Sequence, residues 1–301
     1  MKFVLVAGAS GYLGRHVIAE LKQKGYRVRA LVRQRDVLWK RGETLAPAVG
    51  AEVDEIAVGD LTQPTSLNGI CRNIQVVISC AGMPRMPSST SSSVASLTHE
   101  QLDYHGNRNL LIEAIQTGGV DKFVFVSHFQ QHLDAKMPII EAKNRFMEDL
   151  QKSVMTSYTL RPHMYFSELL PFLYLAQKGR IWLPETPAKF NPIHGRDVAR
   201  ACVKGILAKE KEQDLGGPVT HDFESVARIA FEALEMEPKI HKGPLGGLVR
   251  GSMSLFQKQQ AEIYHFLKSP LFEMGLAPAQ GKRELLNYFQ AFAKSPFFRP
   301  D

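Results

Sequence analysis

The sequence predicts an α/β fold, a doubly wound parallel sheet followed by a smaller, mainly helical lobe. Three observations carry that expectation. Over the first two-thirds of the 301 residues, short β-branched runs alternate with segments of helical period. Those runs are apolar at nearly every position, as expected of parallel strands buried on both faces. A glycine-rich turn joins the first run directly to the first helical segment.

Taken in order, FVLVA (3–7) is the first strand, and a helix is expected near 12–24, closed by Gly25. VRALV (28–32) and EVDEIAV (52–58) are the next two strands, with a helix near 64–72. QVVISC (75–80) precedes a helix near 98–117 that Gly118 and Gly119 terminate. KFVFVS (122–127), a helix near 138–152 and SYTLR (157–161) complete a βαβ series. SSTSSSVAS (88–96) is a polar loop.

Beyond residue 165 the pattern loosens around Pro184, Pro187, Pro192, Pro218, Pro238 and Pro244. The chain therefore divides into a first domain over 1–165 and a smaller lobe over 166–301, interleaved with it. The tail is rich in aromatics (Phe256, Tyr264, Phe266, Phe272, Tyr288, Phe289, Phe292), which fits core packing or a dimer contact, or else the walls of an apolar pocket.

Lys and Arg exceed Asp and Glu by 37 − 30 = 7, a balance compatible with nucleic acid, a membrane surface or a small anion. Three scattered cysteines, Cys71, Cys80 and Cys202, exclude a disulfide framework and suggest buried thiols in a reducing, cytoplasmic setting. No run reaches the ~18 apolar residues of a membrane span. His128 and His132 are four apart, but they have no evident carboxylate partner, so no metal is expected.

The chemistry begins at VAGASGYLG, residues 6–14. Gly8, Gly11 and Gly14 allow a tight turn, close approach of backbone N–H groups to a pyrophosphate, and tight packing of helix on strand. Ser10, Tyr12 and Leu13 belong to the same turn. With a strand before it and a helix after it, this is expected to be a dinucleotide site of the Rossmann type, the alternative being a turn that needs glycine for sterics alone.

Specificity is read where the second strand ends. An acidic residue there would bind the ribose hydroxyls of NAD, but this chain has Arg33, with Arg35 and Ser10 near. Arginine can fork onto a 2′-phosphate. From Lys22 to Arg41 there are eight basic residues and one acidic, Asp36. NADP(H) is the expected cofactor, a solvated basic strand end being the alternative. The positive charge thus gathers where a cofactor phosphate would lie, and no nucleic-acid partner is expected. Asp60 and Leu61 follow the third strand, Asp60 serving either the adenine amino group or a local turn. Cys80, Ala81 and Gly82 follow the fourth, where small residues let the ribose lie against backbone.

With these residues assembled, the chain resembles the short-chain dehydrogenase/reductase superfamily, in particular its atypical NmrA-like branch. VLVAGASGYLG, LVR, GDL, DYHGNRNLLIEAIQTGGVDKFVFVS, EAKNRFMEDLQKS, YTLRPHMYF and NPIHGRDVA carry the resemblance, in order, from residue 3 to about 200. KSPLFEMGLAPAQGKRELLNYF is similar, more weakly, to the end of divinyl-chlorophyllide-reductase-like proteins. The resemblance implies an NADP-binding domain, contacts from Pro162, and a C-terminal substrate lobe. It also implies that Ser127 steadies a substrate oxygen and that Lys143 binds the nicotinamide ribose.

The superfamily's tyrosine, four residues before that lysine, is replaced by Ile139. Isoleucine moves no proton, so alcohol or epimerase chemistry built on tyrosine is not expected. Lys143, Tyr165, Tyr104, His128 and His163 remain as candidate proton donors. Two functions follow: NADPH-dependent reduction of an apolar, conjugated or ring-bearing small molecule, and a non-catalytic NADP(H) sensor acting on a protein partner. A homodimer is compatible with either.

Overall fold

The structure, a computed structural model, describes residues 2–83, 97–130, 137–243, 255–269, 272 and 275–299. The serine-rich segment 88–96, His132 and Pro244 lie outside these residues.

In chain order the elements are β1 (Phe3–Ala7), α1 (Tyr12–Gln23), β2 (Arg27–Val32), β3 (Glu55–Val58) and β4 (Val76–Ser79). A π-helical segment (Glu100–Gly106) leads into α2 (Asn107–Thr117), followed by β5 (Lys122–Val126), α3 (Pro138–Lys152) and β6 (Ser157–Pro162). Then come α4 (Leu170–Gln177), β7 (Ile181–Leu183), α5 (Gly195–Gly205), β8 (Glu212–Leu215), α6 (Phe223–Ala233), β9 (Ile240–Lys242), α7 (Leu255–Leu267) and α8 (Leu285–Ala293).

Seven strands form one sheet in the order β3-β2-β1-β4-β5-β6-β8. The pairs from β3 through β6 are parallel. Reversal of order at β1 and β4 makes the sheet doubly wound and leaves a crevice at the carboxyl ends of these strands. Leu5, Val77, Phe123 and Phe125 share a core with Leu110, Leu111, Phe146 and Leu150 of α2 and α3. α1 and α5 pack together, and they meet β1 and β5 respectively.

Three sequence expectations change. The helix near 64–72 is only a 3₁₀ turn, Pro64–Leu67, because Asn68 is extended (ψ 119°) and Gly69 is left-handed (φ 79°). The long helix near 98–117 is π-helical over its first part. The seventh strand, EQDL, escaped notice because its polar, partly exposed residues show no apolar run.

The chain forms two compact units. The first comprises Met1–His128, Ala135–Arg161 and Gly195–Gln213, and the second Phe129–Asp134, Pro162–His194 and Asp214–Asp301. Gly195–Gln213 returns to the first unit because α5 packs against α1. The second unit has a two-stranded parallel sheet, β7-β9. Its aromatics pack on one another, with Phe272 meeting Phe190, Phe223 and Phe266 at ring-centroid distances of 5.5, 4.8 and 5.3 Å. Tyr264, Tyr288, Phe289 and Phe292 are also buried, which is the core-packing reading of the tail. Among the described residues no helix is long and apolar enough to cross a membrane, and no cluster of side chains has the makings of a metal site.

Candidate cofactor and active site

At the end of β1 the chain turns through Gly8 (φ 71°), and a Cβ there would lie 2.9 Å from the backbones of Cys80 and Ala81. A Cβ on Gly14 would lie 2.2 Å from the Gly8 carbonyl oxygen. Both glycines are thus required by the close approach of the turn to α1 and to the end of β4. Gly14→Ala is expected to destabilise the first unit by about 1–3 kcal/mol, since backbone must move to admit one methyl. A urea midpoint equal to wild type would show that the turn yields freely.

α1 begins at Gly11 with no side-chain cap, so its first N–H groups are available to an anion. The Tyr12 hydroxyl accepts the Gly195 N–H at 3.0 Å and fixes α5 against the turn. Leu13 is buried and Ser10 exposed.

Arg15 is a residue the sequence reading overlooked. It is only 4% exposed, although it lies on an amphipathic helix among many surface cations. Its guanidinium donates to the carbonyls of Ser10 (2.8 Å), Lys40 (2.7 Å), Pro47 (3.0 Å) and Val37. The segment after β2 is thereby tied to the glycine turn, and this segment carries Arg33 and Arg35, both exposed. Burial holds the Arg15 pKa below its usual value, though a guanidinium stays charged.

Beyond β3, Asp60 Oδ1 accepts the N–H and the hydroxyl of Thr62, each at 2.8 Å, which is the local turn role. The Leu61 carbonyl accepts from Asn109 at 2.8 Å. At the end of β4, the Ser79 hydroxyl bonds Asn107 Oδ1 at 2.5 Å, and Asn107 Nδ2 donates to the Asp103 carbonyl at 3.0 Å. These bonds lock the Cys80-Ala81-Gly82 strand end to the π-helical segment. Burial pushes the Cys80 thiol up to about 12, with Lys143 acting the other way, so it stays a thiol.

Lys143 is 7% exposed. Its Nζ lies 3.0 Å from Asp103 Oδ1 and 5.2 Å from the centre of the Phe125 ring. Asp103 is fully buried, 0% exposed, and its other oxygen accepts the Met83 N–H at 3.3 Å and pairs with His99 Nδ1 at 2.7 Å. Burial alone would raise the Asp103 pKa, but Lys143 and His99 together hold it below the usual carboxylate range. A Cβ on Gly82 would fall 2.5 Å from Asp103 Oδ1 and 3.0 Å from Lys143 Nζ, so the lysine head lies at the end of β4. Ile139, one turn before Lys143, is buried as well. Ser127 follows β5, and its buried hydroxyl has no hydrogen-bond partner among the described residues.

The other proton-donor candidates divide. Both His163 nitrogens are engaged, Nδ1 accepting the Met164 N–H at 2.8 Å and Nε2 lying 3.2 Å from the Gly275 carbonyl, which gives this ring a structural task. The Tyr104 hydroxyl donates to Asp149 at 3.0 Å. Tyr165 and Pro162 belong to the second unit, where Tyr165 starts a 3₁₀ turn through its N–H to Glu168 at 2.6 Å. His128 is buried at the end of β5. Asp103 and His99 are two further residues that sequence reasoning missed. Only their spacing of four, one helical turn, could have suggested a pair.

Comparison with known proteins agrees with this architecture. Residues 4–130 match the model of the NAD dependent epimerase/dehydratase family, a stretch that ends before α3. The chain is 28% identical over 251 residues, 82% of its length and 74% of the relative's, to the photosystem II assembly factor Ycf39 of Guillardia theta. It is 26% identical over 266 residues to the chloroplastic divinyl chlorophyllide a 8-vinyl-reductase of Arabidopsis thaliana, covering 80% of this chain but only 60% of that protein. The fold is that of a nucleoside-diphosphate-sugar epimerase from Staphylococcus aureus, with a TM-score of 0.65, 19% identity, and coverage of 96% of this chain and 100% of that one.

Proposed function

We propose that the chain is an NADPH-dependent reductase of an apolar, conjugated or ring-bearing small molecule, a reading supported by the match of residues 4–130 to the NAD dependent epimerase/dehydratase family. The observation that carries this reading is a buried lysine and an unpartnered serine at neighbouring strand ends, with Ile139 in the place of the tyrosine. The residues suit the cofactor: Gly8 and Gly14 leave no room for side chains under the turn, and the uncapped start of α1 offers N–H groups to a pyrophosphate. When bound, NADPH supplies a hydride. Lys143 would hold the nicotinamide ribose, and Arg33 with Arg35 would receive the 2′-phosphate. Ser127 would donate a hydrogen bond to a substrate oxygen, which orients a conjugated carbonyl for reduction at carbon. The kinship with a vinyl-reductase supports a C=C substrate, whose reduction needs no tyrosine.

NADPH should stabilise the protein more than NADH at equal concentration, by about 1.4 kcal/mol for a tenfold affinity gap. Arg33→Ala should close that gap, and stronger stabilisation by NADH would overturn the assignment. Wild-type protein that binds NADPH yet oxidises it with no member of a panel of enones, quinones and tetrapyrroles would sink the reductase reading. A second reading, a redox sensor acting on a protein partner, draws support from Ile139 and from kinship with an assembly factor. Partner capture that is the same with NADP, NADPH and no cofactor would exclude it.

A further inference from the structure

We propose that the loop after β2 is a docking surface for an acidic segment of another protein, held by Trp39 with Lys40 and Arg41; the proposal rests on neither reading above. Most large apolar side chains of this chain are inside, yet Trp39 is 55% exposed. A lone exposed aromatic needs no explanation by itself. Two features set this one apart: its ring is held in place, and it stands among exposed cations that have no ion-pair partners.

The loop is pinned from beneath. The buried Arg15 guanidinium donates to the carbonyls of Val37 and Lys40, which flank Trp39, and to that of Pro47. The Leu38 carbonyl accepts the N–H groups of Val49 and Gly50, each at 2.9 Å. The Trp39 ring lies on Gly50, where a Cβ would fall 2.8 Å from Cε2 and Cε3 of the indole. One face of the ring therefore meets backbone and the other is left to solvent. A ring already fixed loses little freedom when a partner covers it, and Trp and Arg are the side chains most enriched among interface anchors.

Arg35, Lys40 and Arg41 are exposed, and none makes an ion pair among the described residues. Residues 33–41 hold four basic side chains and one acidic, Asp36, an excess of 4 − 1 = 3; the next exposed carboxylate is Glu43. A cofactor phosphate would engage Arg33 and Arg35, which leaves Lys40 and Arg41 beside the indole. Cations without neighbours of opposite sign attract carboxylates and repel basic partners. A lipid surface is the poorer occupant, because binding in the membrane interface draws on a broad apolar face. Here Val37 is half-buried and Leu38 fully buried, so the loop offers a single ring. A nucleic-acid strand fits less well too, since successive bases call for successive aromatic platforms.

The test uses the full chain carrying Trp182→Phe, which leaves Trp39 as the sole tryptophan of the original two. Selection from a random peptide library should enrich sequences in which Asp and Glu surround an aromatic or aliphatic residue. The enriched peptide should shift Trp39 emission to the blue, and its Kd should rise with salt. By anisotropy of the labelled peptide, Trp39→Ser should weaken binding about tenfold or more, and so should Lys40→Gln combined with Arg41→Gln, whose exposed side chains put the fold at no risk. Trp39→Ser should leave the NADPH Kd at its wild-type value. No enrichment, enriched peptides without acidic bias, or binding that survives both variants overturns the proposal. Emission that ignores the peptide but shifts with phosphatidylserine vesicles or single-stranded DNA overturns it as well, in favour of that surface.

Discussion

Lys143→Met is expected to lower the unfolding free energy by about 3–5 kcal/mol, because it strands a buried carboxylate. Asp103 has no exposed surface, and without Lys143 its remaining side-chain partner among the described residues is His99. The same change should weaken NADPH binding through lost ribose contacts. A second variant separates the two effects. Asp103→Asn combined with Lys143→Met removes the stranded charge, so it should recover much of the stability but none of the affinity. Urea denaturation and NADPH titration read the two quantities independently. Wild-type values for both in the single variant would mean that the ion pair does nothing in solution.

The pair also fixes a pH dependence. Asp103 has a folded pKa below its unfolded one, so its stabilisation is fully present above the unfolded value, near 3.9. It is lost as pH falls through the depressed folded value. Lys143→Met should therefore cost the most stability at neutral pH and progressively less in acid, where both proteins carry a protonated Asp103.

Arg15→Met should be the other severe substitution. It keeps the apolar stem but removes a guanidinium bonded to four backbone carbonyls. At about 1.5–3 kcal/mol for each hydrogen bond to a charged group, two unreplaced bonds already amount to about 3 kcal/mol. The loss should fall on the segment after β2, and with it on the placement of Arg33 and Arg35. The stabilisation by NADPH should then shrink toward that by NADH. A variant with normal stability and undiminished NADPH preference would show that this segment holds its shape without Arg15. Arg15→Lys should rescue little, since one ammonium cannot present the fork that reaches Ser10, Lys40 and Pro47 together.

Much of this was legible in the sequence because it is local. Apolar runs such as FVLVA and KFVFV declare strands covered on both faces, and their helical spacers allow a parallel sheet. The glycine turn, Lys143 and the isoleucine one turn before it are matters of spacing along one segment. The polar strand β8, and the 3₁₀ turn that replaces a helix at Pro64–Leu67, were illegible for the opposite reason. Neighbouring backbone and one left-handed glycine decide them, and periodicity does not.

What the sequence determined by itself is the strands β1 to β6, the glycine turn and the lack of a tyrosine. The tertiary structure decided which charged residues leave the surface. Arg15 and Asp103 both read as solvated charges on helices, since a charge is costly to bury and most remain in water. They are inside because folding brings them partners from other segments: the loop carbonyls of Lys40 and Pro47 for Arg15, and Lys143 for Asp103, which His99 joins from one turn away. Desolvation is met by hydrogen bonds that exist only in the folded chain, so beyond the spacing of His99 and Asp103 no local pattern could announce them.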